Sequence, residues 1–388
     1  MKNDVGMSWK MVKLDNVCTM LSGNAWSASK FKDEGIIPII RIQNLGNNEN
    51  EKFIWWNDDY DKKFVVKKGD LLLSLSGSIK IDTWKGIDAL LNQRIVKLIP
   101  KNGIDPQWFY WQITNIILDI ERMGKWALVN NVSITDLKDL EIPLPPLPIQ
   151  KRIAEILDAA DALKRKEQAL LKKYDELAQA IFIDMFGDPV KNEKGWDLKP
   201  FGELFDSRLG KMLDAKKQNG NFKYKYLGNS NVQWFSFQLN NLAEMTFDEK
   251  ELRTFELKFG DLLICEGGEV GRTAIWKNET ENIYFQKAIH RARVKTNIIN
   301  VEYTSRLFWF FAKFGGLDDF VTTSTISHLT GEKLKIVPIP VPPIILQKKF
   351  EKKISKLSEI INISPHETGE TLFQTLIQKA FKGELVVE

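Results

Sequence analysis

The chain runs through one succession of motifs twice, and any fold it adopts must accommodate that repeat. Trp9-Lys10-Met11-Val12-Lys13-Leu14 is echoed by Trp196-Asp197-Leu198-Lys199-Pro200-Phe201. Lys68-Gly69-Asp70-Leu71-Leu72-Leu73-Ser74 returns as Phe259-Gly260-Asp261-Leu262-Leu263-Ile264-Cys265. A small-residue loop follows in each copy, Ser76-Gly77-Ser78-Ile79 and Gly267-Gly268-Glu269-Val270. Gln93-Arg94-Ile95 stands opposite Gln286-Lys287-Ala288. Ile142-Pro143-Leu144-Pro145-Pro146 matches Ile339-Pro340-Val341-Pro342-Pro343, and Gln150 matches Gln347. The order never changes, and the offset drifts only from 187 to 197 residues.

Within each copy, short apolar or alternating runs such as Ile36–Ile42, Asp70–Leu75 and Arg94–Ile99 lie between Gly, Asn and Asp turns, as strands do. Helical spacing at Trp108–Ile120 is answered at Tyr303–Phe314. The fold class is therefore α+β, with two tandem mixed α/β domains. A proline-dense stretch closes each copy, and Pro143–Pro148 predicts a stiff extended joint. From Gln150 to Gly187 no Pro or Gly intervenes. There Ile149, Ile153, Ile156, Ala160, Leu163, Glu167, Leu170, Tyr174, Leu177 and Ile181 step alternately by four and three, as in a coiled-coil seam. Phe350, Ile354, Leu357 and Ile361, then Leu372, Leu376 and Ala380, supply a partner helix. The expected arrangement is an antiparallel pair with an internal pseudo-twofold axis. About 35 residues at 1.5 Å each give a rod of about 50 Å, equal to about 15 base-pair rises.

The expected divisions are a first domain over 1–145, a helix over 146–188, a second domain over 189–340 and a second helix over 341–388. Charge is even across them. The chain carries 55 basic and 51 acidic side chains; residues 1–145 hold 19 and 18, residues 189–340 hold 22 and 19. Any nucleic-acid face must then be a local patch. Two cysteines, Cys18 and Cys265, build no disulfide framework. No run is apolar enough to span a bilayer, and the N-terminus lacks a secretory core, so a cytoplasmic location is expected.

Ile142-Pro143-Leu144-Pro145-Pro146-Leu147-Pro148-Ile149-Gln150, with Lys151–Asp158 after it, resembles the central conserved region of specificity subunits of type I restriction-modification enzymes. Leu376–Leu385 is similar to their distal conserved region, and the Gly-Asp-Leu-Leu and Asn92-Gln93-Arg94-Ile95 segments resemble recurring pieces of their recognition domains. The resemblance covers essentially the whole chain, in duplicate. It implies that each globule reads one half of a split target in double-stranded DNA. It also implies that the helices set the spacer and dock two methyltransferase subunits, which bring S-adenosylmethionine and methylate adenine. Translocating restriction subunits would join to cut unmodified DNA. This chain itself would bind no cofactor. Three features depart from the pattern: Lys80 stands where the second copy has Gly271, Ser364-Pro365 should break the second helix, and neither globule is strongly basic.

No catalytic motif competes with that reading. Pro145-Pro146 and Pro342-Pro343 lack the Asn or Asp before and the aromatic after that an amino-methyltransferase loop requires. Asp248 with Glu256-Leu257-Lys258 superficially resembles a nuclease metal site, but the repeat has Val65 and Lys67 at the corresponding places. His290, His328 and His366 show no metal-ligand spacing. The candidate DNA contacts are loop side chains suited to base edges or phosphates. In the first domain they are Arg41, Gln43, Asn44, Ser78, Lys80, Lys85, Gln93 and Arg94. In the second they are Asn229, Asn231, Gln233, Glu269, Arg272, Lys287, His290 and Arg291. Ile153, Ile156, Leu163, Leu170, Tyr174, Phe350 and Leu357 are the candidate partner-binding positions. The competing reading is a scaffold that binds proteins through its helices, with globules unrelated to DNA; Trp84 and Trp276 beside the loops are assigned to core packing.

Overall fold

In a computed structural model of the chain, the repeated Gly-Asp motif makes one turn twice. Gly69 and Gly260 adopt positive φ, +96° and +85°, which glycine tolerates without strain. The Asp70 carboxylate accepts from Lys67 N at 2.7 Å, and Asp261 accepts from Lys258 N at 2.8 Å. Trp84 N and Trp276 N each donate to the aspartate carbonyl at 2.8 Å. A basic side chain on a neighbouring strand pairs with each carboxylate, Lys97 with Asp70 and Arg293 with Asp261. The structure describes residues 9–46, 52–77, 79–122, 133–213, 222–278, 280–321, 327–363 and 368–385. It divides into two units, residues 1–169 with 365–388, and residues 170–364.

In the first unit the motif opens the central strand Leu71–Ser74 of an antiparallel sheet ordered Cys18–Ser22, Ile95–Pro100, Leu71–Ser74, Ile81–Thr83. All four residues of that central strand are buried. Its side chains alternate: Leu71 and Leu73 enter a core with Trp108, Phe109 and Ile142, whereas Leu72 enters one with Ile40, Trp84 and Leu91. A strand covered on both faces is why the sequence there is an unbroken apolar run. A second sheet, ordered Ile54–Trp56, Ile37–Ile40, Ala89–Leu91, Val65–Val66, has one parallel pairing at its centre. Lys10–Lys13 pairs with Glu141–Leu144, and the helix Pro106–Arg122 lies between the sheets and the later helices in sequence.

The second unit repeats the scheme. Its four-stranded sheet runs Phe205–Leu209, Ile289–Val294, Leu262–Cys265, Thr273–Ile275. Leu262 and Ile264 face a core with Tyr303 and Phe308, while Leu263 and Cys265 face one with Trp276 and Phe285. Leu198–Pro200 pairs with Pro338–Pro340, and the helix Val301–Phe314 is capped by Asn300. Trp84 and Trp276 are fully buried, as expected of core residues. Both cysteines are free and buried, which pushes their thiols up to about 12 for Cys18 and about 11 for Cys265.

The helix Leu147–Phe186 begins within the proline segment, because Pro148 fits a first turn whose N–H groups have no partner inside the helix. Gly187 terminates it with φ +75°. In the first unit Ile153, Ala154, Leu157 and Ala160 pack with Phe373, Ile377, Ala380 and Phe381 of the helix Thr368–Lys382. In the second unit Ala178, Phe182 and Phe186 pack with Phe350, Ile354 and Leu357 of the helix Ile344–Ile363. The expected seam is thus corrected at three of its ten positions. Leu163, Leu170 and Leu177 are 44%, 41% and 46% exposed. Leu157 and Ala178 are buried in the places assigned to Ile156 and Leu177, about 100° further round the helix. Ser364 and Pro365, where the second helix was expected to break, lie outside the described residues, as does Ser78; helices are described on either side, ending at Ile363 and starting at Thr368.

Candidate nucleic-acid interface

The second unit gathers five of its eight candidates around one recess. Asn229, Asn231, Gln233, Glu269 and Arg272 line an open cavity of about 730 Å3, with Gln238 and Gln286 beside them. The chain folds this way locally because each loop is pinned by its own polar groups. Asn231 Oδ1 accepts from Gly228 N at 2.8 Å, and its Nδ2 donates to the Gln238 carbonyl at 2.9 Å. Asn229 Nδ2 donates to the Gly267 carbonyl at 3.0 Å, joining this loop to the small-residue loop after the Gly-Asp strand. Arg272 donates to the Asn229 carbonyl at 2.8 Å and lies 3.7 Å from Glu269. Glu269 also accepts from Lys313 Nζ at 2.6 Å. Burial opposes its charge, yet that hydrogen bond and the nearby Lys313 and Arg272 charges hold its carboxyl below the usual range. The result is a rim of amides with one fixed cation and one fixed anion, the functional groups that recognise base edges in a groove.

Three candidates of the second unit stand elsewhere. Lys287 is exposed, with its backbone N–H bound to the Lys211 carbonyl at 2.7 Å. His290 and Arg291 are buried, which corrects their assignment as DNA contacts. His290 Nε2 lies 2.9 Å from the Leu329 carbonyl oxygen. Arg291 donates to the Thr254 carbonyl at 3.0 Å and sits over the Phe285 ring. Both occupy the strand Ile289–Val294, next to the central strand of the sheet, so alternation could not carry them outward.

In the first unit Gln43, Lys80, Lys85, Gln93 and Arg94 are exposed, and Lys85 lines a recess with Tyr110, Trp111 and Arg165. Arg41 is half-buried and donates to the Lys52 carbonyl at 2.9 Å. Asn44 is a correction: it is fully buried, and its Oδ1 accepts from Arg41 N at 2.8 Å. The same turn geometry recurs at Asn231 and Gly228, so both asparagines shape loops. Of the partner-binding candidates, Ile153, Phe350 and Leu357 are buried in this chain's own cores and offer no surface to another subunit. Ile156 and Tyr174 are half-buried, and Leu163 and Leu170 are exposed.

Sequence reasoning missed Gln238, Asn241 and Lys313. Lys313 sits on a helix, Val301–Phe314, and only folding brings its ammonium to the loop carboxylate. Asp248 is a helix cap, accepting from Glu251 N at 2.8 Å, and the described residues contain no cluster of three or more His, Cys, Asp or Glu that could hold a metal. Among the described residues no helix is long and apolar enough to cross a membrane.

A family model described as the type I restriction modification DNA specificity domain matches residues 7–173 and again 193–371. The chain is similar to the EcoBI specificity subunit of Escherichia coli, with 21% identity over 98% of this chain and 87% of that one. It is 23% identical to the EcoKI specificity subunit of Escherichia coli over 98% and 90%, and 21% identical to the MjaVIII specificity subunit of Methanocaldococcus jannaschii over 92% and 88%. The crystal structure of a type I S subunit from M. genitalium has the same fold, with a TM-score of 0.57 at 16% identity over 98% of both chains. With both halves matched in order, the chain belongs to the DNA specificity subunits of type I restriction-modification systems.

Proposed function

We propose that each repeat reads one half of a bipartite DNA target, and that the helices hold the half-sites at a fixed spacing while docking two methyltransferase subunits. The observation that carries this reading is the recess lined by Gln233, Gln238, Glu269 and Arg272, whose loops Asn229 and Asn231 hold in shape. Amides and a guanidinium recognise adenine and guanine edges in the major groove. In this reading the two helical segments form an antiparallel coiled coil about a pseudo-twofold axis. The exposed Leu163, Leu170 and Leu177 then supply apolar surface for a partner helix. The chain carries no catalytic site and acts in the cytoplasm; S-adenosylmethionine belongs to the methyltransferase subunits, and restriction subunits complete the nuclease.

Mapping methylated adenines in host DNA with and without this chain tests the proposal. A bipartite motif that vanishes with the chain is the expected result. A methylation pattern indifferent to its removal would defeat it. Pure chain incubated with DNA, labelled S-adenosylmethionine and magnesium should neither methylate nor cleave. A gel shift with the cognate methyltransferase separates the scaffold reading, which predicts no DNA complex at any salt concentration.

A further inference from the structure

The helix Ile344–Ile363 concentrates positive charge that neither globule shows. Its residues 344–359 hold Lys348, Lys349, Lys352, Lys353 and Lys356 against Glu351 and Glu359, and all five lysines are exposed. Lys348, Lys352 and Lys356 recur every four residues, so they form one row with steps of about 6 Å along the axis. Together with Lys277 and the 72% exposed Phe259 they line a recess of about 620 Å3. The two glutamates are occupied by neighbours. Glu351 accepts from Asn300 Nδ2 at 2.9 Å, and Glu359 accepts from the Ser355 hydroxyl at 3.4 Å.

Comparison of the repeats indicates that two of the row's three lysines, Lys352 and Lys356, are additions to the scaffold. With Gln150 aligned to Gln347, the buried positions stay apolar: Ile153 with Phe350, Leu157 with Ile354, Ala160 with Leu357. On the solvent side Lys151 and Arg152 match Lys348 and Lys349, but Glu155, the half-buried Ile156 and Ala159 are replaced by Lys352, Lys353 and Lys356. A surface that docks the same subunit on each repeat would recur in both copies, and this one recurs only at Lys348, whose counterpart is Lys151. We infer that the Lys348–Lys352–Lys356 row binds DNA phosphates beside the half-site of the second repeat, giving affinity without sequence preference. This rests on the DNA reading above. Lysine is suited to the task, being a flexible point charge that follows a phosphate backbone without reading bases.

The test uses the complex with its methyltransferase, on cognate and random-sequence duplexes, over a salt series. Each phosphate neutralised contributes about 0.9 to the negative slope of log affinity against log salt. The triple variant Lys348→Gln, Lys352→Gln, Lys356→Gln should make that slope shallower by roughly 2 to 3. It should weaken both duplexes by the same factor and leave the methylated sequence unchanged. The triple Lys→Arg variant should restore the slope, and melting should be unaltered because the side chains are exposed. An unchanged slope in a folded variant overturns the inference, as does loss of methyltransferase binding with DNA affinity intact, which would make the row a protein-docking face. If the unmodified complex fails to distinguish cognate from random DNA, the DNA reading itself has failed; if it discriminates and only the slope is unmoved, the lysine row alone falls.

Discussion

Gln150 and Gln347 make the same three hydrogen bonds in the two units. Gln150 Oε1 accepts from Asp105 N at 2.8 Å, and its Nε2 donates to the carbonyls of Pro145 and Gly103. Gln347 Oε1 accepts from Asn300 N at 2.8 Å, and its Nε2 donates to Pro342 and Ile298. Both amides are buried, and each ties the proline segment before its own helix to the segment that caps an earlier helix, Pro106–Arg122 in one unit and Val301–Phe314 in the other. A glutamine in the first turns of a surface helix ordinarily faces water. Here it closes the joint between globule and helix, which explains why the repeated motif ends in Pro-Pro and then Gln.

Replacing either glutamine by leucine would leave a buried N–H and two carbonyls without partners. At about 1–3 kcal/mol for an unsatisfied buried group, Gln347→Leu should destabilise its unit by roughly 2–5 kcal/mol. Gln150→Leu should do the same to the other. Denaturant melts of each variant measure this; an unchanged midpoint would show that water replaces the amide.

The helix Leu147–Phe186 supplies a sharper contrast. Leu157→Asp buries a carboxylate among Trp111, Phe373 and Ile377, and should cost several kcal/mol. Leu163→Asp and Leu170→Asp, on exposed positions, should shift chain stability by no more than about 0.5 kcal/mol, while weakening recovery of the methyltransferase complex. Thermal melts and co-purification report the two effects separately. A large loss of stability from Leu163→Asp would restore the seam read from the sequence.

That seam shows where the sequence is legible and where it stops being so. Apolarity at Ile156, Leu163, Leu170 and Leu177 fits a heptad as well as burial at Leu157 and Ala178 does, since both rows step by seven. What separates them is Phe182 and Phe186 packing on Phe350 and Tyr303, which no spacing within one helix encodes. The repeat, the mixed α/β domains and the Gly-Asp turns are legible because they depend on local chemistry copied twice. The recess is legible in part: Asn229, Glu269 and Arg272 come from loops with polar composition, but Lys313 joins them only through the fold. His290, Arg291 and Asn44 mislead because polar residues signal exposure in a sequence, whereas here backbone carbonyls and amides satisfy them in the interior.

His290 makes the second unit sensitive to acid. Burial holds its imidazole below the ordinary value of 6.5, although the Leu329 carbonyl and the Glu266 charge favour the protonated form. The unfolded chain therefore binds a proton near pH 6.5 that the folded chain does not, so stability falls as the pH drops below that value. His290→Gln should flatten the loss between pH 7 and 5, measured by melts of the full chain. An identical pH profile in the variant would show that His290 titrates alike in both states.

Arg272 should act on DNA sequence rather than on affinity at large. Its guanidinium is anchored by the Asn229 carbonyl and Glu269 at the rim of the recess. Arg272→Ala should cost about 1–3 kcal/mol of discrimination at one base pair, and relax the methylated motif at that position only. A uniform loss across all duplexes, with the motif intact, would reduce it to a phosphate contact.

The repeat carries the last prediction, because two units built on the same plan should be exchangeable. If each reads its own half-site, replacing residues 1–145 with the corresponding segment of a relative should rewrite one half of the methylated motif. The other half and the spacer should stay as they were, since Gln150 and the helix face at Ile153, Leu157 and Ala160, which packs with Phe373 and Ile377, lie outside the exchanged segment. Inserting seven residues into the helix Leu147–Phe186 should do the reverse, changing the spacer and preserving both half-sites. Seven residues is two turns of a coiled coil, so the buried face keeps its register, and the added length is about 10 Å, or about three base-pair rises. Methylome sequencing of cells carrying each variant distinguishes the outcomes. A domain exchange that altered the spacer, or an insertion that altered the bases read, would show that recognition and spacing are not divided between globule and helix.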